Sequence, residues 1–196
     1  NAGSWNFNKA LSLPSQFKLP VVAQKAVSVV KNGSAQLIDF GKETFGFITL
    51  HGLSGTGHIR LYYGESKEEA LNEKEAVTID LLTIQNKRAK DSIMPLSKAF
   101  RYVHIITDVS VKIDSVSMLY EYADVQNNGN FNCSDPELNR IYNVAMYTFH
   151  LNTREFFIDG IKRDRWVWSG DAYQSYLMNY YSFFDNQTVA RTLLAL

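Results

Sequence analysis

The sequence predicts a β-rich domain followed by an α-helical one, on three observations. Short apolar runs that alternate in polarity, separated by glycine-containing turns, recur up to about residue 122. A polar stretch ending in Asn127-Asn128-Gly129-Asn130 follows, and beyond it apolar residues recur at helical spacing. The first part reads as an antiparallel β-sandwich of jelly-roll type over residues 21–125, and the last as a helical domain over 131–196. Residues 1–20, broken by Pro14 and Pro20 with Trp5 and Phe7 as anchors, read as an extended entry or linker.

Within the β part, Val27–Val30 and Gln36–Phe40 flank Lys31-Asn32-Gly33-Ser34. Asn-Gly supplies the positive φ angles that a tight hairpin needs, so these two runs are predicted to pair. Further strands are predicted at Phe45–Leu50, His58–Tyr63, Val77–Ile84, Phe100–Thr107 and Val111–Tyr122. In the last, Val116, Met118, Tyr120 and Tyr122 share one face and Ser117, Leu119 and Glu121 the other. The charged segment Lys67–Glu75 is expected to be a solvated loop rather than one or two helical turns.

In the helical part, Ser134 is predicted to cap the first helix with Glu137 as its reciprocal partner, and Pro136 fits the first turn. Leu138, Ile141, Tyr142, Ala145 and Phe149 then fall on one buried stripe. A second helix begins at Gly170 or Asp171, and its aromatic face, Tyr173, Tyr176, Leu177, Tyr180, Tyr181 and Phe184, is expected to pack in the core. Asp185–Thr188 reads as a turn and cap, from which a third helix runs to Leu196.

Composition narrows the functional classes. Acidic and basic residues balance at 20 each, so no basic excess points to nucleic acid, and no polybasic or amphipathic segment points to a membrane surface. No apolar run is long enough to insert through a bilayer. The four histidines, His51, His58, His104 and His150, show no metal-ligand spacing; no metal and no cofactor are expected. The single Cys133 allows no internal disulfide. The N-terminus lacks the pattern of a signal peptide. A periplasmic or secreted location is expected if such a segment has been removed, and a cytoplasmic one otherwise.

Chemistry concentrates in Asp159-Gly-Ile-Lys-Arg163-Asp164-Arg165-Trp166-Val-Trp168-Ser-Gly-Asp171. Three carboxylates, three cations and two indoles stand between glycines. Carboxylates accept hydrogen bonds from sugar hydroxyls or act as acid and base, arginine fixes a carboxylate's orientation, and an indole stacks on the C–H face of a pyranose. The same composition also fits a solvated loop closed by surface ion pairs. Two indoles within three residues favour the sugar site, because large rings are costly to leave in water.

Asp159-Gly-Ile-Lys-Arg163-Asp164-Arg165 followed by Trp168-Ser-Gly-Asp171 resembles the central motif of bacterial α-L-rhamnosidases of glycoside hydrolase family 78. Leu37-Ile-Asp39-Phe40-Gly41, Gly46-Phe47-Ile48, Tyr63-Gly64-Glu65 and Phe100-Arg101-Tyr102-Val103 resemble that family's sandwich strands, and Asn132–Ile141 its first barrel helix. The resemblance implies a β-sandwich preceding an (α/α)6 barrel. Such a barrel, with about twelve helices of ~12 residues joined by loops of ~4–6, needs on the order of 200 residues. About 65 follow the junction, so the chain is expected to be the truncated front of a larger enzyme, inactive alone and partnered by the remainder of its own catalytic domain.

The resemblance also implies roles. Asp164 takes the general-acid position, one methylene shorter than the glutamate of many members. Asp159, Arg163 and Asp171 hold rhamnose hydroxyls and orient the acid, and Trp168 adds a substrate contact. Arginines aimed at Asp159 and Asp171 would leave Asp164 uncompensated. The family inverts the anomeric centre, and the general base falls later in the barrel than this chain reaches; Glu155 does not match it. Expected substrates are L-rhamnose-containing glycosides or polysaccharides. Two other readings stand beside this one: a glycosidase of the same architecture with another sugar specificity, and a non-catalytic carbohydrate-binding or structural module.

Overall fold

Unit by unit, the computed structural model describes residues 18–196, the side chains at 86 and 87 apart; the expected anchors Trp5 and Phe7 and the break at Pro14 lie outside the described residues. The chain divides into Val21–Glu121 and a second unit built from residues 18–20 with Tyr122–Leu196.

The first unit is an antiparallel sheet of β1 (Val21–Lys25), β2 (Ser28–Asn32), β3 (Ala35–Gly64), β4 (Thr78–Ile93), β5 (Lys98–Thr107) and β6 (Ser115–Glu121). The predicted hairpin forms, with Asn32 facing Ala35 and Gly33 at φ 58°. The runs Gln36–Phe40, Phe45–Leu50 and His58–Tyr63 are parts of one strand rather than three. Positive φ at Gly41 and Gly52, 87° and 63°, lets β3 bend without ending. The strand pairs in turn with β2, β6 and β4, and folds so that β5 lies between its two ends: Val103 faces both Ile38 and Tyr63.

Alternation along these strands fills one core. Ile38, Ile48, Leu50, Ile59, Leu61, Phe100, Val103, Ile105 and Met118 are buried in it, with Val116 and Tyr120 packed alongside. Two ion pairs fix its edges. Arg101 grips both oxygens of Asp39, Nε to Oδ1 at 3.0 Å and Nη2 to Oδ2 at 3.1 Å. Lys98, only 7% exposed, lies 2.9 Å from Asp80 and over the Tyr63 ring, while the Tyr63 hydroxyl donates to the same carboxylate at 2.7 Å.

The expectation of a plain loop at Lys67–Glu75 is corrected by a single helical turn, α1 (Lys67–Leu71). Its start is fixed by Ser66, whose side chain accepts the Glu69 N–H, with two glutamates in the first turn. The predicted strand at Val111–Tyr122 starts later, at Ser115, because Val111 N–H closes a turn on the Asp108 carbonyl.

The second unit holds α2 (Pro136–Asn152), α3 (Ser169–Asn179) and α4 (Asn186–Ala195). The cap of α2 is Asp135, not Ser134: its Oδ1 accepts the Glu137 N–H at 2.8 Å and Pro136 takes the first helical position. Glu137 pairs with Arg140 instead of reaching back. Asp185 caps α4 on the N–H groups of Gln187 and Thr188.

These helices meet through a small aromatic centre. Phe149 stacks on Phe157 and Phe183 at 5.4 and 4.9 Å, with Val125, Met146, Tyr176 and Val189 around them. The junction is strapped on as well: Asn128 and Gly129 both donate their N–H to the Ser182 carbonyl, and a Cβ at Gly129 would stand 1.8 Å from the Tyr181 oxygen. The predicted stripes are buried only where they reach this centre. On α2 Phe149 is buried whereas Leu138, Ile141 and Ala145 are exposed; on the α3 side Tyr173, Tyr180, Tyr181 and Phe184 are exposed.

Candidate active site

The chain entering the motif loop is anchored by hydrogen bonds to α2 and α4. At its start, Ile158 donates to the Asn152 carbonyl, Phe157 donates to the buried Thr192 hydroxyl at 3.0 Å, and Arg191, 3% exposed, donates from Nε to the Glu155 carbonyl. Burial holds Arg191 below the usual guanidinium range, opposed by Asp185 and Glu155.

Asp159 then closes the loop on itself. Its N–H donates to the Trp166 carbonyl at 3.1 Å, and its Oδ1 accepts the Trp166 N–H at 2.9 Å. One carboxylate oxygen is thereby spent on the backbone. The enclosed segment turns sharply: Arg165 N–H donates to the Arg163 carbonyl at 2.6 Å, and Asp164 and Arg165 hold φ of 56° and 52°. Left-handed backbone is tolerated by aspartate and costly for arginine, and consecutive residues of this kind cluster at functional turns.

Asp159 and Asp171 line one cavity of about 440 Å³. Asp171 sits in the first turn of α3, whose N-terminal end favours negative charge. Asn152, Thr148, Gln174 and Ser175 supply further polar groups to the cavity, and Ala145, Phe149, Ile158 and Met178 its apolar wall. None of these is among the site residues expected from the sequence, where Ala145 and Phe149 figure only as core positions, although their spacing carries the signal. Ala145, Thr148, Phe149 and Asn152 on α2, and Asp171, Gln174, Ser175 and Met178 on α3, each follow the i, i+3, i+4, i+7 rule for one helix face.

Arg163, Asp164 and Trp168 do not line the cavity; they are exposed on the loop beyond it and at the residue preceding α3. Two expectations are corrected here. The indoles are not withdrawn from water, Trp166 being 63% and Trp168 51% exposed, because the loop closes through its backbone and not by packing its rings. At Asp159 the bonded oxygen takes a backbone N–H and, contrary to the expectation, among the described residues no ion pair joins Arg163 to it. Among the described residues no group of three or more His, Cys, Asp or Glu has the arrangement of a metal site.

A glycine-bent antiparallel sandwich is followed in sequence by helices, with Asp159 and Asp171 gathered where the first helical hairpin turns. Residues 1–105 match the family model described as alpha-rhamnosidase-like, Bacteroidetes, N-terminal, and residues 126–196 match the bacterial alpha-L-rhamnosidase six-hairpin glycosidase domain. The chain belongs to the alpha-rhamnosidase-like family of the first model, which spans more than half of it, and its last part matches the six-hairpin glycosidase domain of bacterial alpha-L-rhamnosidases.

Solved structures agree on the fold. A rhamnosidase from Klebsiella oxytoca with rhamnose bound superposes with a TM-score of 0.73 at 21% identity, over 90% of this chain and 42% of its own. A family 78 rhamnosidase from Bacillus sp. GL1 gives 0.73 at 24% identity, over 85% and 18%. The α-L-rhamnosidase of Dictyoglomus thermophilum gives 0.71 at 21%, over 91% and 22%. The chain thus spans less than half the length of each of these relatives. No curated protein sequence matches it.

Proposed function

We propose that this chain carries the acid side of the active site of an inverting glycoside hydrolase that removes terminal α-L-rhamnose from glycosides or polysaccharides. The observation that carries this reading is the cavity shared by Asp159 and Asp171. At about 440 Å³ it has room for a single sugar unit, and its lining mixes polar groups with apolar ones. A 6-deoxy sugar offers both, hydroxyls for the polar groups and a methyl group for the apolar ones.

In this reading Asp171 and the free oxygen of Asp159 accept hydrogen bonds from ring hydroxyls, and Arg163 and Trp168 contact the substrate at the rim. Asp164 gives its proton to the glycosidic oxygen as the C1–O bond breaks. An exo-acting enzyme holds the ring inside and the leaving group outside, so an acid on the exposed loop suits the reaction. A second carboxylate, supplied by the remainder of the barrel about 6.5–9.5 Å from the acid, takes the proton of the attacking water on the opposite face.

Hydrolysis of an aryl α-L-rhamnoside by protein containing the whole hairpin domain, followed by proton NMR, tests this. The first-formed sugar should be the β-anomer. Replacing Asp159 or Asp171 by Asn should lower kcat/KM by roughly 1.5–3 kcal/mol of transition-state stabilisation. Release of the α-anomer, or unchanged kcat/KM in both variants, would overturn the assignment.

A further inference from the structure

His51, on β3, joins two residues far from it in sequence. Its Nδ1 lies 2.8 Å from Asp91 Oδ2 on β4, and its Nε2 lies 2.7 Å from Ser117 Oγ on β6. With the ring proton on Nδ1 and donated to Asp91, Nε2 is left as the acceptor of the serine hydroxyl. Those are the roles that activate a nucleophilic serine, and they are recognised by geometry, not by order in the chain.

The backbone is shaped for this contact. The pairing of β3 with β4 slips between Leu50 and Leu53, where His51 and Gly52 stand opposite Asp91 alone, one residue more on β3 than on β4. Gly52 donates its N–H to Asp91 Oδ1 at 3.0 Å, so both carboxylate oxygens are engaged, and the Gly52 amide and His51 hold the Asp91 carboxyl below its usual range. A side chain at Gly52 would be strained: φ is 63°, and a Cβ would stand 1.9 Å from Asp114 Oδ2.

Groups beside Ser117 complete the set. Thr49 on β3 and Lys25 on β1 are its register partners, and cross-strand partners share a face with Cβ atoms about 5 Å apart. The Thr49 hydroxyl is buried without a hydrogen-bond partner, and Lys25 is exposed. An unpartnered hydroxyl and a cation therefore stand across from Ser117, one on each neighbouring strand.

We propose that Ser117, His51 and Asp91 form an acyl-transfer site on the sandwich that takes small O-acyl esters. Ser117 Oγ bonds to the acyl carbon while its proton passes to His51 Nε2. The ester C–O bond then breaks and the departing alcohol takes that proton. Water, deprotonated by the same nitrogen, attacks the acyl-serine and releases the carboxylic acid with Ser117 restored.

The test treats the intact chain with a fluorophosphonate and, separately, with 4-nitrophenyl acetate, and maps adducts by peptide mass spectrometry. A single adduct on Ser117 is expected, absent from Ser117→Ala. His51→Gln should slow labelling at least ~10²-fold, and Asp91→Asn, which keeps an acceptor for Gly52, should slow it by a smaller factor. Thermal melts that match wild type establish that each variant is folded. An unlabelled Ser117 in folded wild-type protein, or labelling of folded Asp91→Asn and His51→Gln at the wild-type rate, would overturn the proposal.

Discussion

Asp159 and Trp166 exchange two hydrogen bonds, the Asp159 N–H to the Trp166 carbonyl at 3.1 Å and the Trp166 N–H to Asp159 Oδ1 at 2.9 Å. The pair closes the loop that carries Arg163 and Asp164. Asp159→Ala removes one of the two bonds, and a charge-assisted bond is worth about 1.5–3 kcal/mol. Hydrogen exchange of the Trp166 amide should therefore accelerate by at least ~10-fold in Asp159→Ala and by less in Asp159→Asn, which retains an oxygen. Equal exchange in wild type and Asp159→Ala would show that the loop is held by other means.

The aromatic centre of the helical unit should be its weak point. Phe149 is 4% exposed and stacks on both Phe157 and Phe183. Phe149→Ala should cost about 3–5 kcal/mol, the range for truncating a buried aromatic ring. Urea unfolding followed by a probe within residues 122–196 measures this, and a loss under ~1 kcal/mol would contradict the packing described.

In the sandwich, Lys98 and Asp80 form a largely buried pair. Lys98→Met leaves the Asp80 carboxylate, among the described residues, with the Tyr63 hydroxyl alone, and removing one partner of such a pair costs about 3–5 kcal/mol. Burial, then the Asp80 charge and the hydrogen bond to it, push the Tyr63 phenol well above its ordinary range. Its absorbance at 295 nm should fail to rise in an alkaline titration until the unit unfolds.

Arg101 beside Asp39 gives a pH signature. The Arg101 hydrogen bond, aided by the Gly41 N–H and opposed by burial, holds the Asp39 carboxyl below its usual value. A depressed pKa contributes stability above the unfolded-state value and loses it as pH falls through the folded one. Wild type should therefore lose Tm below about pH 4, and Arg101→Met should lose less over the same range, the two curves converging in acid. Parallel curves would show that the pair contributes nothing.

How much of this was legible follows from what each feature depends on. The Asn32-Gly33 hairpin and the outlines of the strands rest on local backbone preference and alternation, so the sequence carries them. That three predicted strands are one does not show, because a glycine that bends a strand reads the same as one that ends it. The helical stripes were legible as stripes, but burial needs a facing surface, and only the ends near Phe149 and Tyr176 have one among the described residues. Ser66 and Asp135 are caps of a recognisable kind, yet a cap shifts by one residue where Ser134 and Asp135 are adjacent. Asp159 and Asp171 stood out as carboxylates in a motif. The cavity polar groups Asn152 and Gln174 show only once two helix faces are seen to converge. The contacts of His51 with Asp91 and Ser117 span 40 and 66 residues and lie beyond any local pattern.

The proposed role of Asp164 as proton donor is tested by dependence on the leaving group. A phenolate of low pKa departs without a proton, whereas an alkyl alkoxide does not. Asp164→Asn is the variant to use, because asparagine tolerates the φ of 56° found there and so leaves the turn intact. In protein containing the whole hairpin domain, kcat/KM of Asp164→Asn should fall at least ~10²-fold on an alkyl α-L-rhamnoside and far less on the 2,4-dinitrophenyl compound. An equal fall on both substrates would contradict the account and make Asp164 a positioning residue.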